Sequence, residues 1–146
     1  MVLNPSNFIS EIVLFLRDYI RTNVSDPITR SEGFVMTAYP KREVQYPIIT
    51  IKNTNIKTKK LGMSSEISSA DVSIEVRVWA RNSKECDELT QSVITTLKNA
   101  QYGTGSTSEY DIHGFELSSS NSVVETEGDN TVHSKVLNFK YSCVLT

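Results

Sequence analysis

The sequence predicts a single α+β domain over residues 1–146: a mixed, mostly antiparallel sheet with two helices packed on one face. Three observations carry this. Two segments repeat apolar residues at helical spacing, and five others alternate at a period of two or are rich in β-branched residues. Their order, α-β-β-β-α-β-β, contains no βαβ repetition, which points away from a parallel doubly wound sheet. A chain of 146 residues with 38% apolar and 22% charged residues is long enough to bury one core and has the composition of a folded domain.

The opening segment reads as a helix. Asn4 can cap it and Pro5 suits the first helical position, where its missing N–H costs nothing. Phe8, Ile9, Ile12, Val13, Phe15, Leu16, Tyr19 and Ile20 then form a wide apolar stripe, suited to a sheet and a neighbouring helix. The segment NVSDP ends it, because Pro27 disfavours helical geometry at Asp26. Short extended pieces follow: Phe34, Met36 and Ala38 alternate with Val35 and Thr37. The run YPIITIKN from Tyr46 is a strand, with Pro47 at its start, where a missing ladder donor is tolerated.

Residues 53–70, NTNIKTKKLGMSSEISSA, are polar and weakly patterned, and are expected to form a long loop or a protruding hairpin arm that orders on contact. Val72, Ile74, Val76 and Val78 then face one side, with Ser73, Glu75, Arg77 and Trp79 on the other, as in a strand with one buried face. A second helix starts near Ser83, with Asn82 and Glu85 spaced as a capping box. Cys86, Leu89, Val93, Leu97 and Ala100 make its stripe. The last third forms a long hairpin: residues 112–126 lead to the turn signal EGDN, and residues 131–145 return with strict alternation.

Several function classes receive no support. A net charge of −2 argues against a dedicated nucleic-acid binder. The longest apolar runs, such as IVLFL at 12–16, are far too short to span a membrane, and MVLNPSNF lacks the basic-then-apolar build of a signal peptide. Cys86 and Cys143, the two cysteines, are expected as buried reduced thiols. His113 and His133 fall on the closing hairpin, where they could be cross-strand neighbours, but no further ligands accompany them at metal spacing. Cys86 lies on an apolar stripe and lacks a nucleophile elbow, and the GTG at 103–105 lacks the lysine and helix of a phosphate loop. No catalytic, cofactor or metal site is therefore expected.

What stands out is charge placement and one tryptophan. Between Lys41 and Lys60 lie six basic residues (Lys41, Arg42, Lys52, Lys57, Lys59, Lys60) against Glu43 alone. Between Glu109 and Asn130 lie six acids (Glu109, Asp111, Glu116, Glu125, Glu127, Asp129) and no lysine or arginine. These are either two solvated surfaces that partly pair within one molecule or complementary faces of neighbouring copies, as in head-to-tail rings. Trp79, flanked by Arg77 and Arg81, either covers part of the sheet or anchors a partner.

The element order and three segments resemble the tail terminator (tail completion, minor tail protein U-like) family of long-tailed viruses of bacteria and archaea. The segments are YPIITI at 46–51, ADVSIEVRVWARNSKECDELTQSVITTLKNA at 70–100 and GFELSSSNSVVETEGDNTVHSKVLNFKYSCVL at 114–145. In that family a strand ending in an aromatic-Ala pair, here Trp79-Ala80, runs into a helix with a Ser/Asn start, and the closing strand follows a turn and a residue such as His133. The resemblance implies a non-enzymatic virion protein, assembled in the host cytoplasm. It would form a homohexameric ring on the head-proximal end of the tail, with the tail tube protein and a neck or connector protein as partners. Lys57, Lys59, Lys60, Arg77, Trp79, Arg81, Glu125, Glu127 and Asp129 are its candidate protein-interface residues. No specific nucleic-acid sequence and no membrane enter this reading, although DNA can pass through such a ring. The alternatives are another neck ring (head-completion or stopper), a cellular α+β module that binds a peptide or small ligand and, least supported, an enzyme using Cys86 or the histidines. Residues 53–70, longer and more basic than a minimal version needs, depart from the family pattern.

Overall fold

Alternation at a period of two dictates the centre of the molecule. The computed structural model describes residues 3, 7–28, 33–38, 45–60, 68–101, 112–127 and 130–145. Five strands form one sheet: β1 (Val35–Met36), β2 (Ile48–Lys60), β3 (Ser68–Ala80), β4 (Ile112–Glu127) and β5 (Asn130–Leu145), in the spatial order β1-β2-β3-β5-β4. Only β1 and β2 are parallel; the other pairs are antiparallel. The α+β class and the element order agree with the sequence reading.

Two helices, α1 (Phe8–Asn23) and α2 (Ser83–Asn99), lie on one face of the sheet. α1 packs against β1, β2 and α2, and α2 against β3 and β5. They share one core with the inward-facing strand residues, among them Ile49, Ile51, Val72, Ile74, Val76, Val78, Leu137, Phe139 and Tyr141. In α1 the buried positions Phe8, Ile12, Leu16 and Ile20 recur every four residues, so one stripe meets the sheet. The helix starts later than Asn4 and Pro5 suggest: Asn7 is its N-cap residue, and residues 4–6 lie outside the described residues. Its C-cap, Val24, is extended, so the helix ends three residues before Pro27. Arg21 then forks onto the Val35 carbonyl through Nε and Nη2 at 3.0 and 2.6 Å, tying the end of α1 to the short β1.

Asn82 caps α2 by accepting from Glu85 N at 2.8 Å. The return bond of the expected capping box is displaced by one residue: Glu85 Oε1 accepts from Arg81 N at 3.2 Å. At the far end, the Tyr141 hydroxyl donates to the Leu97 carbonyl from within the core, one of the helix-end carbonyls that lack a full intrahelical partner set.

The segment at 53–70 is mostly strand. Residues 53–60 complete β2 and residues 68–70 begin β3, in continuous pairing from Lys57↔Asp71 to Lys60↔Ser68; residues 61–67 lie outside the description. It also does not project alone, because β5 pairs with β3 as far as Ser68↔Leu145 and buries Ala70 and Leu145. The patterning of this part of β2 is weak because only Ile56 offers it an apolar side chain.

Candidate functional site

Among the described residues the sheet's other face carries no helix, and its alternate residues define what the molecule presents. From β2 come Ile48, Thr50, Lys52, Asn55 and Lys57; from β3, Asp71, Ser73, Glu75, Arg77 and Trp79; from β5, the even positions from Val132 to Ser142. One end is closed, with Ile48, Val132 and Ser134 buried, and the other end opens to solvent around Lys57, Asp71 and His113.

Trp79 sits at the boundary, half-buried, paired across the strands with Ile48 and Ser134. Its indole N–H approaches Thr50 Oγ1 at 3.5 Å, and the Arg77 guanidinium lies over its ring at 5.0 Å from the centroid. Arg77 also reaches Glu75 at 3.8 Å, yet its Nε is buried without a hydrogen-bond partner. Arg81 does not join this pair; it is committed to Glu85, through Nε at 3.1 Å and Nη2, at the start of α2.

Cross-strand pairs cover much of the rest. Lys52 meets Glu75 at 3.7 Å, Lys140 meets Glu116 at 3.4 Å, and Asn138 donates to Ser119 Oγ at 3.0 Å. One basic and one acidic member of the segregated charge blocks are thus paired within the molecule. Lys57 and Lys59 remain exposed on β2. Lys60, Glu125 and Glu127 are placed only as strand positions, and Asp129 lies outside the described residues, as do Lys41, Arg42, Glu43, Glu109 and Asp111.

Serine, histidine and aspartate converge at one level of this face. Asp71, Ser142 and His113 sit in register on β3, β5 and β4, and Ser142 Oγ donates to Asp71 Oδ1 at 2.7 Å. The hydroxyl is thereby oriented toward the carboxylate, whereas nucleophilic activation needs it to donate to the imidazole. This row, with the Glu75 and Glu116 pairs, escaped sequence reasoning: its members are tens of residues apart, and only strand order brings them together. The two histidines are not neighbours. His113 opposes Ser142 while His133 opposes Val124, because the long hairpin puts them at opposite ends.

Among the described residues, no group of three His, Cys, Asp or Glu residues is arranged to hold a metal ion, and no helix is long and apolar enough to cross a membrane. Cys86 and Cys143 are buried and not joined in a disulfide, and burial pushes the Cys86 thiol above its usual range. A shallow cleft of about 490 Å³ lies where the end of α1 meets the start of α2, lined by Val24, Pro27, Asn82, Glu85, Glu88 and Leu89. Two of its polar side chains, Asn82 and Glu85, are already spent on the cap. No protein-family model and no curated protein matches this chain.

Proposed function

We propose that this chain is a structural virion protein of the tail-terminator kind. It forms a ring that caps the head-proximal end of the tail tube, stops tube polymerisation and offers the neck or connector its attachment surface. The observation that carries this reading is the sheet face opposite the helices, where Arg77 lies over a half-buried Trp79. Tryptophan and arginine dominate interface hot spots, and a rigid sheet holds them in place without a cavity around them. The observed element order, with helices on one face only, is also the order that the family resemblance implies.

The mechanism needs geometry and no reaction. A ring that reproduces the tube subunit's interface on one side accepts the last tube layer; lacking that interface on its far side, it ends growth. The exposed Lys57 and Lys59, with Lys60 beside them, supply contacts to a neighbour or to the tube. Reversing Lys57, Lys59 and Lys60 to glutamate tests this. The expected outcome is a folded protein, by circular dichroism, with tubes of uncontrolled length that do not join heads. Normal-length tails attached to heads would sink the proposal.

A further inference from the structure

We draw no further inference here: the strongest candidate, the polar row at the open end of the sheet face opposite the helices, where Lys57, Asp71, Ser142 and His113 lie level on β2, β3, β5 and β4, carries nothing, because Ser142 already donates to Asp71 and nothing in the structure shows what covers the row.

Discussion

Removing one oxygen from Tyr141 should reverse the order of stability of two proteins as pH rises. Tyr141 is fully buried, with the Phe139 and Phe115 rings each 5.5 Å away, and its hydroxyl donates to the Leu97 carbonyl. In Tyr141→Phe the carbonyl still accepts from Ala100 N at 3.2 Å, so no acceptor is orphaned. The loss near neutral pH should therefore be about 1 kcal/mol, the usual net worth of one hydrogen bond. For a domain of this size that corresponds to a melting temperature lower by about 3 °C.

Alkali changes the comparison. Burial pushes the Tyr141 phenol well above its ordinary value, so the folded chain keeps the proton where the unfolded chain loses it. A raised folded pKa gives stability that is intact below the unfolded pKa, about 10, and declines above it by about 1.4 kcal/mol per pH unit. Groups common to both proteins cancel in the difference. The wild-type advantage of about 1 kcal/mol should vanish near pH 10.6, and the phenylalanine variant should be the more stable by about 0.4 kcal/mol at pH 11. Urea denaturation of both proteins between pH 7 and about pH 11 measures this directly. Parallel curves without a crossing would mean that the phenol ionises in the folded protein, and the dry, sheet-to-helix role of Tyr141 would be wrong.

Two further outcomes follow from local geometry. Asn82→Ala should cost about 1 kcal/mol in urea denaturation, because the 2.8 Å bond to Glu85 N is lost, whereas Asn82→Asp should retain most of that stability. Cys86 and Cys143 should resist a thiol reagent at pH 8 until denaturant is added, since both are buried and burial raises the Cys86 thiol; rapid native labelling of either would contradict the packing.

How much of this could be read from the chain depends on the range of the interaction involved. The alternation Val72, Ile74, Val76, Val78 reports one buried face whatever lies beside it, and the spacing of Asn82 and Glu85 reports a cap formed within one turn. Those features were legible because the residues that make them are neighbours in sequence. Strand order was not: β5 lies between β3 and β4, and this puts Ser142 against Asp71. Register along the hairpin was equally hidden: His113 and His133 lie on paired strands but at opposite ends of them. Arg81, two residues beyond Trp79, looked like part of an aromatic-cationic cluster. It leaves the strand there and turns to Glu85, a contact that the helix start makes available only once α2 has formed.

The segregated charges show how sequence and topology combine. A basic segment and an acidic segment are visible in the chain, but by themselves they fit an internally paired surface as well as an intermolecular one. The sheet order places the lysine-bearing β2 near one margin and the glutamate-bearing β4 at the other, with β3 and β5 between them. Strands so placed cannot pair with each other within one flat sheet, and among the described residues Lys52 and Glu116 are the members of the two blocks that find partners on the strands between. The exposed Lys57 and Lys59 lie at the Asp71 end of the sheet, level with His113 of β4, whereas Glu125 pairs with Val132 at the opposite end, so the two charge blocks are separated along the strands as well as across them.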